Sequence, residues 1–461
     1  MTSFKEDTIA AISTPLGEGG IGIVRLSGPD SLSVADRIFR GKEGGKPSRM
    51  PTHSLHYGYI QSKGKPVDEV LLTVMRAPRT YTREDIVEIN CHGGIVPLRK
   101  VLELTLKEGA RLAAPGEFTR RAFLNGRIDL AQAEAVVEII KAKTDLSLKV
   151  ATSQLRGRLS MKVEDVRKKI RRLLVQVESV IDFSEDGVEL FKEEDLRQEV
   201  EKIKIELDEL LISADQGKIL REGMKTVIGG KPNVGKSSLW NALLGEERAI
   251  VTPLPGTTRD ALEETVNIRG FPLRLVDTAG IRKTRGRIER ESVIRSRQSL
   301  EEADLTLVVL DGSEPLSGED TDIREELKEK AALVVINKID LSQRITLREV
   351  QKIWPGKRIV RVSAAQGLGL AGLKKAIAEI FWEGKVPSPE TLLVIQARHK
   401  EALLRARKGL DAVATGLNRR LSPEFIVSDF RLVLNSLGEI GGETAPEEIL
   451  EEIFSRFCIG K

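Results

Sequence analysis

The alternation of apolar runs with glycine-rich turns distinguishes the first part of the chain from the rest. Short apolar runs here predict strands, and longer runs with helical spacing predict helices. The predicted strands are Thr8–Ile12, Ile21–Leu26, Val67–Met75 and Asp85–Asn90, and the predicted helices are Ser31–Phe39 and Val96–Glu108. Gly17–Gly20 reads as a tight turn rather than a phosphate loop, because no lysine follows it and no helix opens there. This mixture predicts an α+β domain over residues 1–120.

A second kind of segment is helical. Ala131–Ile140 is rich in helix formers, and apolar residues then recur at three- and four-residue steps from Val163 to Ile181. The pattern continues over Glu199–Ile212 and returns over Leu392–Leu417 and Pro423–Leu437. The helical segments thus fall into two groups, residues 121–222 and residues 383–461. Each group has an apolar stripe that it cannot bury alone, so we predict that the two groups form one all-α domain.

Composition adds three constraints. The 461 residues predict two or three domains, and a net charge of +4 permits contact with nucleic acid without requiring it. Arg167–Lys169, Arg171 and Arg172 form a basic helix face, for which solvation is the favoured interpretation and RNA contact the alternative. The chain has only two cysteines, which argues against a disulfide framework. Its four histidines are scattered, which argues against a metal site at His92. The sequence has no run of 18 apolar residues, which argues against a membrane span. We therefore expect a cytoplasmic protein.

Residues Gly230–Ser237 match the phosphate-binding pattern G-x-x-x-x-G-K-[ST]. The apolar run Thr226–Ile228 before them predicts a strand, and Ser238–Leu244 after them predicts a helix that ends at Gly245. Glycines let the backbone wrap a phosphate, and the helix N-terminus favours its charge. Lys236 would reach the β- and γ-phosphates, and Ser237 would bind Mg2+.

Three further motifs follow in the order of a nucleotide site. Asp277, after the predicted strand Leu273–Val276, is placed to hold Mg2+ through water, and the Gly280 N–H to meet the γ-phosphate. A second run leads into Asn337-Lys338-Ile339-Asp340, where the Asp340 carboxylate can accept two hydrogen bonds from guanine that adenine does not offer. Asn337 is expected to contact the base and tie loops together. Residues Ser363 and Ala364 would offer backbone N–H groups beside the base.

These motifs resemble the GTPase G domain, an α/β P-loop fold, over residues 223–382. The fold class is therefore multi-domain: an α+β N-terminal domain, an all-α helical domain and a G domain inserted in the helical domain. The expected GTP-binding residues are Asn233, Val234, Gly235, Lys236, Ser237, Ser238, Thr252, Pro253, Leu254, Pro255, Gly256, Thr257, Thr258, Asp277, Thr278, Ala279, Gly280, Asn337, Lys338, Asp340, Ser363 and Ala364.

Motifs outside the G domain narrow the resemblance. The N-terminal run from Thr8 to Gly28, the A-F-L-N-G-R-x-D-L-A-Q-A-E-A run from Ala122, and the final Cys458-Ile459-Gly460-Lys461 are all present with P-N-V-G-K-S-S and P-G-T-T-R-D. Together these segments, in this order and spacing, resemble the MnmE (TrmE) family of tRNA-modification GTPases over essentially the whole chain. The resemblance implies a homodimer that acts with an FAD-containing partner, MnmG, on the wobble uridine of certain tRNAs. It implies aminomethyl or carboxymethylaminomethyl groups as the products.

The resemblance also implies that the N-terminal domain binds folate. It implies that the same domain dimerises the protein. The one-carbon unit would come from 5-formyl- or 5,10-methylene-tetrahydrofolate. Arg25, Glu88, Arg127 and Lys461 match the folate-contacting positions of the family. Arg127 stands where some relatives have lysine, which keeps the charge but changes its geometry. Without the resemblance, a surface salt bridge is the default interpretation of each of these residues.

The mechanism of hydrolysis is implied in the same way. Ile281 stands where many small GTPases place a water-orienting glutamine. The resemblance implies instead a potassium ion that neutralises the phosphates as two G domains meet, with Asn233, Thr252, Leu254 and Thr257 as its ligands. It implies that Thr258 binds Mg2+ together with Ser237, that Glu289 orients water, and that Cys458 is a candidate catalytic thiol.

A GTPase switch that binds a partner without modifying tRNA is the alternative function. Such a protein, for example a ribosome-assembly GTPase, carries the same hydrophobic residue after D-x-x-G but usually also a recognisable RNA-binding module. No such module is evident in this sequence. Binding of folate distinguishes the two functions.

Overall fold

A computed structural model describes residues 7–42, 44–182, 193–247, 263–276, 302–327, 330–382, 391–394 and 396–461. The chain divides into two compact units. The first unit contains the N-terminal residues through Val137 together with Asn435–Lys461, and the second contains Glu138–Leu434. Each unit is described by itself.

The first unit is built on a mixed sheet. Its described strands are β1 (Ile9–Ile12), β2 (Ile21–Ser27), β3 (Phe39–Gly41), β4 (Ser54–Ser62), β5 (Lys65–Met75), β6 (Ile86–His92) and β7 (Arg111–Leu112). They lie in the order β3-β4-β5-β6-β2-β1-β7, and every neighbouring pair is antiparallel except β1 and β7. One face of the sheet is buried through alternate residues such as Val24, Leu72 and Ile89. This alternation is the pattern of a half-buried sheet.

Six of the described helices lie wholly or partly in the first unit. They are α1 (Ser31–Ile38), α2 (Ile95–Lys107), α3 (Glu117–Leu124), α4 (Leu130–Lys141), and near the C-terminus α13 (Pro423–Gly441) and α14 (Glu447–Ser455). Helices α4 and α13 run across the division between the units. A short 3-10 turn covers Pro47–Arg49. Phe454 and Phe457 pack with Ala122 and Ile128, which attaches the C-terminal residues to α3 within this unit.

The second unit combines long helices with a mainly parallel sheet. The helices before the sheet are α5 (Asp145–Leu155), α6 (Arg158–Asp182) and α7 (Glu193–Glu222), and α12 (Ala397–Asn418) comes after it. Helices α7 and α12 pack along each other. Lys204 lies 3.1 Å from Asp411 and Arg407 lies 2.9 Å from Asp208, so ion pairs flank their apolar contact.

The sheet of the second unit has the order β13-β12-β11-β8-β10-β9, in which only β9 is antiparallel to its neighbour. Its strands are β8 (Met224–Gly229), β9 (Glu263–Ile268), β10 (Phe271–Val276), β11 (Leu305–Asp311), β12 (Ala332–Asn337) and β13 (Arg358–Arg361). The described helices around it are α8 (Lys236–Glu247), α9 (Gly318–Glu326), α10 (Leu347–Ile353) and α11 (Leu370–Phe381). Strands β8, β11 and β12 are almost wholly buried, which explains their continuous apolar runs.

The predicted fold class is confirmed, and several local features differ from prediction. Strand β4 and helix α14 were not predicted. Helix α8 continues through Gly245 to Glu247 instead of ending there. Leu392 and Val394 are buried but not helical: the N–H groups of Leu393 and Val394 donate to Ser213 Oγ at 2.7 and 3.1 Å, and the helix begins only at Ala397.

The basic face of α6 is largely paired with carboxylates. Lys169 contacts Glu206 of α7 at 2.7 Å, and Arg167 and Arg171 both contact Glu164. The favoured interpretation of this face is solvation; Lys168, Arg171 and Arg172 are exposed in agreement with it, whereas Arg167 is buried.

Candidate functional site

The phosphate-binding loop lies between β8 and α8, at the carboxyl end of the parallel strands. Gly230 has φ +143°, Asn233 φ +63° and Gly235 φ +95°, so three residues of the loop have a positive φ. A Cβ at Gly235 would lie 2.2 Å from Asn337 Nδ2, so only glycine fits there. Lys236 Nζ donates to the carbonyl oxygens of Gly230 and Lys231 at 2.8 and 2.5 Å. The ammonium group therefore lies across the loop that would surround a phosphate.

Asn337 joins three loops at the carboxyl edge of the sheet. Its Nδ2 donates to the Val234 carbonyl at 2.9 Å, and its Oδ1 accepts from the Ala364 N–H at 3.0 Å. The side chain is buried, with 2% of its surface exposed. The tying role expected of Asn337 is thus observed, while its contact with a base stays a prediction.

The remaining candidate base contacts lie on the same edge. Asp340 is exposed three residues after Asn337, and the Ile339 N–H donates to the Val362 carbonyl at 3.2 Å. Ser363 is buried and its Oγ accepts from the Gln366 N–H at 3.1 Å, which closes the turn that holds Ala364. An exposed carboxylate between two ordered loops can accept hydrogen bonds from a planar donor edge.

Several predicted residues lie outside the described part of the chain. These are Thr252, Pro253, Leu254, Pro255, Gly256, Thr257, Thr258, Asp277, Thr278, Ala279, Gly280 and Glu289. Strand β10 ends at Val276, so Asp277 directly follows a strand parallel to β8. Ser237 and Ser238 are described and are exposed at the start of α8.

In the first unit, two of the residues expected to contact folate form an ion pair. Arg25 on β2 and Glu88 on β6 are direct partners in the antiparallel register. Arg25 Nε lies 2.7 Å from Glu88 Oε1, with about a fifth of each side chain exposed (20% and 21%). The guanidinium also lies over the Phe118 ring, 5.7 Å from its centroid. The pair is accessible, and it is rigidly held by two neighbouring strands.

Arg127 lies beside the same group of residues. Its guanidinium stacks over the Tyr81 ring at 4.7 Å from the centroid, and the Tyr81 hydroxyl bonds Thr119 Oγ1 at 2.9 Å. Burial raises the pKa of Tyr81, against the lowering effects of Thr119, Arg127 and Arg25. Arg127 therefore lies over Tyr81 as Arg25 lies over Phe118, and the Tyr81 and Phe118 rings belong to one apolar cluster.

The C-terminal residues meet Arg25. The Gly460 carbonyl accepts from Arg25 Nη1 at 3.4 Å, and Ile459 forms a β-bridge with Pro115. Gly460 has φ +93°, and a Cβ there would lie 2.2 Å from the Ile12 carbonyl oxygen. The Lys461 N–H donates to the Cys458 carbonyl at 3.3 Å, and Cys458 is exposed. Arg25, Glu88 and the C-terminal backbone are thus brought together.

Two groups of site residues were not found by sequence reasoning. Tyr81 and Phe118 provide the aromatic surfaces under Arg127 and Arg25, and their only signal was proximity to the matched motifs. Asp311 and Asp320 pair with lysines of the nucleotide loops, and nothing in their local sequence indicated this.

Comparison with known proteins assigns the family. A model of the MnmE helical domain matches residues 130–458, and a model of the GTP-binding protein TrmE N-terminus matches residues 8–127. The chain belongs to the MnmE family of tRNA modification GTPases. The tRNA modification GTPase MnmE of Geobacillus kaustophilus is 48% identical over 464 residues, covering 100% of both chains. That of Bacillus subtilis is 48% identical and covers 99% of this chain and 100% of its own length.

A further MnmE relative and a structural neighbour complete the comparison. The MnmE protein of Alkaliphilus oremlandii is 50% identical over 99% of each chain. The solved structure of Era from Aquifex aeolicus is 34% identical over 40% of this chain and 65% of its own, with a TM-score of 0.28. This score is low, and the family assignment rests on the sequence comparison.

None of the helices that the structure describes has the length and apolar character needed to cross a membrane. Within the same residues, no group of three or more histidine, cysteine, aspartate or glutamate side chains is arranged to bind a metal. His92 instead contacts Asp68, with Nδ1 2.7 Å from the carboxylate.

Proposed function

We propose that this chain binds GTP with Mg2+, hydrolyses it, and couples the cycle to modification of tRNA, as the name of its family indicates. The observation that carries the nucleotide part is the position of Asn337, which joins the phosphate-binding loop to the Ser363–Ala364 turn. A base held at this edge would meet Asp340 and the Ala364 backbone, while its phosphates would meet Lys236 and the amide groups of the loop. Ser237 would supply its hydroxyl to Mg2+.

Guanine selectivity follows from the carboxylate of Asp340. Two donors on the guanine edge pair with its oxygens, and adenine would leave them unpaired. The Ser363 and Ala364 backbone, fixed by Asn337, would meet the opposite edge of the base.

A tetrahydrofolate derivative is the second proposed ligand, and the residues present fit it. Arg25, Arg127 and the ammonium of Lys461 are cations suited to the carboxylates of the folate glutamate tail, and Glu88 can accept hydrogen bonds from the donor edge of the pterin. The Tyr81 and Phe118 rings give apolar surface beside these charges. When bound, the folate would supply a one-carbon unit at the level of 5-formyl- or 5,10-methylene-tetrahydrofolate.

Potassium is the proposed activator of hydrolysis. Asn233 is exposed on the phosphate-binding loop in a left-handed conformation, which turns the loop at the point where an ion beside the phosphates would bind. Thr252, Leu254 and Thr257 are its other proposed ligands, Thr258 would complete the Mg2+ site, and Glu289 would orient water. A cation at this position would stabilise charge on the transferred phosphoryl group as an arginine finger does.

The assembly implied by the family completes the proposal. The chain would form a homodimer in the cytoplasm and act with the FAD-containing protein MnmG. The product would be an aminomethyl or carboxymethylaminomethyl group at C5 of the wobble uridine, with Cys458 as a candidate catalytic thiol.

Direct titration tests the folate and nucleotide parts separately. Calorimetry of the full chain with 5-formyl-tetrahydrofolate, and with GDP or ADP in Mg2+, should show binding of the folate and of GDP but not of ADP. Glu88→Gln should lose folate affinity by about tenfold or more, because the carboxylate is the acceptor for the pterin, and should keep GDP affinity. Glu103→Gln on α2, which also removes a carboxylate paired with an arginine, is the control and should change neither. GDP binding without folate binding would favour the switch function instead.

A further inference from the structure

The segment Asp311–Asp320 connects β11 to α9 and lies outside all four nucleotide motifs. Its two end residues are aspartates whose side chains are nearly inaccessible: 3% of the Asp311 side chain is exposed and 2% of that of Asp320. Each forms an ion pair with a lysine of a nucleotide-binding loop. Buried carboxylates cost free energy unless they are well paired, so these two pairs need an explanation.

Asp311 holds the lysine of the guanine-binding motif. Its Oδ2 lies 2.5 Å from Lys338 Nζ, and its Oδ1 accepts from the Ser313 N–H at 2.9 Å and from Ser313 Oγ at 2.6 Å. Burial alone would raise the pKa of Asp311, but the hydrogen bonds from Lys338 and Ser313 outweigh it and lower the pKa. The carboxylate is thus charged and fully paired.

The backbone around Asp311 supports the same loop. Asp311 and Asn337 are register partners at the ends of β11 and β12, and the Gly312 N–H donates to the Asn337 carbonyl at 2.9 Å. Lys338 itself has φ +61°, a conformation that a residue with a side chain rarely adopts. Anchoring its ammonium group to Asp311 stabilises that conformation between Asn337 and Asp340.

Asp320 holds the phosphate-binding loop. Its Oδ2 lies 2.7 Å from Lys231 Nζ and also accepts from the Ser317 N–H at 2.9 Å. Lys231 Nζ donates in addition to Ser317 Oγ at 3.0 Å. Lys231 is the second residue of the phosphate-binding motif, and its carbonyl accepts from Lys236 Nζ. Asp320 therefore acts, through Lys231, on the backbone that positions Lys236.

We propose that Asp311 and Asp320 are positioning residues that order the two halves of the nucleotide site, Asp311 the base-binding loop and Asp320 the phosphate-binding loop. This inference rests on the proposed binding of guanine nucleotide. Neither aspartate is proposed to contact the nucleotide. Each keeps a lysine, and with it a loop backbone, in the conformation that the ligand needs, which lowers the ordering cost of binding.

The two roles separate when ligands of different length are compared. GMP carries the guanine base and the ribose but lacks the β-phosphate that Lys236 would reach. GDP carries the base, the ribose and that β-phosphate. Asp311→Asn should weaken the binding of GMP and of GDP by the same factor, about tenfold, which is equivalent to about 1.4 kcal/mol. Asp320→Asn should weaken GDP by about tenfold and leave GMP within about twofold of the native value. Competition against a fluorescent guanine nucleotide in Mg2+ measures the six dissociation constants, for the native chain and both variants with each ligand.

Controls distinguish positioning from loss of stability. Glu302→Gln removes the ion pair with Lys225 at the opposite end of β8 and should change neither affinity. Thermal midpoints are measured for every variant. If Asp320→Asn fails to fold, Lys231→Gln takes its place. If Asp311→Asn fails to fold, Ser313→Ala takes its place, with a smaller expected effect of about threefold.

The outcomes separate this inference from the proposed function. Native chain that binds neither GMP nor GDP would contradict the proposed function itself. Native binding of GDP with unchanged affinities in both variants would overturn the positioning roles alone. Equal weakening of GMP and GDP in both variants would also overturn them, because it would show a general loosening of the domain.

Discussion

Arg25 Nε lies 2.7 Å from Glu88 Oε1 across a directly paired position of β2 and β6. The same guanidinium donates to the Gly460 carbonyl, so one arginine joins the sheet to the C-terminal residues. Surface ion pairs stabilise proteins little, generally by about 0–1 kcal/mol. We infer that this arrangement serves ligand binding more than stability.

Replacing Arg25 should therefore affect folate binding far more than unfolding. Arg25→Ala is expected to weaken the binding of 5-formyl-tetrahydrofolate by about tenfold or more, because a charge-assisted contact is lost. It should lower the free energy of unfolding by about 1 kcal/mol or less. Arg25→Lys should restore part of the affinity. Arg99→Ala, which removes an exposed pair with Glu103 on α2, is the matched control. A large loss of stability with unchanged folate affinity would assign the pair a structural role.

Gly460 offers an independent test of the C-terminal residues. Gly460→Ala places a Cβ 2.2 Å from the Ile12 carbonyl and strains a φ of +93°, so the segment must move away from Arg25. Folate affinity should fall at least about tenfold, while GDP affinity stays unchanged. Gly441→Ala, at a helical position with open space around it, should affect neither. Unchanged folate binding in Gly460→Ala would show that the C-terminal residues do not form part of the site.

Asn337→Ala tests the link between the nucleotide loops. It leaves the Val234 carbonyl and the Ala364 N–H without their partner, which should cost about 2 kcal/mol in the free energy of unfolding of the domain. GDP affinity should fall together with the order of both loops. Asn267→Ala, which removes only a turn bond to the Gly270 N–H, should leave GDP affinity unchanged. Equal GDP affinity in Asn337→Ala and the native chain would contradict the role given to this residue.

The two cysteines should differ sharply in reactivity. Burial, with a smaller effect of Asp68, raises the pKa of Cys91 to about 12, and 2% of the residue is exposed. Since the thiolate is the reactive form, Cys91 should stay unreactive from pH 7 to 9 and become reactive only as pH approaches that pKa or the chain unfolds. Titration with a disulfide reagent at pH 8 should find one fast thiol in the native chain and none in Cys458→Ser. A fast thiol in that variant would contradict the described burial of Cys91.

The nucleotide site shows how far sequence reasoning reaches. The positions of Lys236 at the start of α8 and of Asn337 at the end of β12 were predictable, because their motifs require a fixed local backbone. The partners Asp311 and Asp320 were not, since a pairing between distant segments leaves no local pattern. The same holds for Glu206, which neutralises Lys169 across 37 residues.

The missed elements have equally specific causes. Strand β4 carries Leu55 and Tyr57 on its exposed face, so its apolar residues do not mark the buried side. Helix α8 passes through Gly245 because a glycine permits the left-handed conformation that ends many helices but does not require it. Leu392 and Val394 continued the apolar spacing of the following helix, but tertiary packing buried them in a segment without helical structure.

Activation of GTP hydrolysis by potassium can be tested by measuring GTP turnover in KCl and in NaCl at equal ionic strength. The native chain and Asn233→Ala are compared, with Asn241→Ala on the exposed face of α8 as control. We expect potassium to raise the native rate by about tenfold or more, as a cation supplied to the phosphates should. The stimulation should disappear in Asn233→Ala and persist in Asn241→Ala. Equal rates in both salts for the native chain would contradict the mechanism and favour a switch that orients water by protein groups alone.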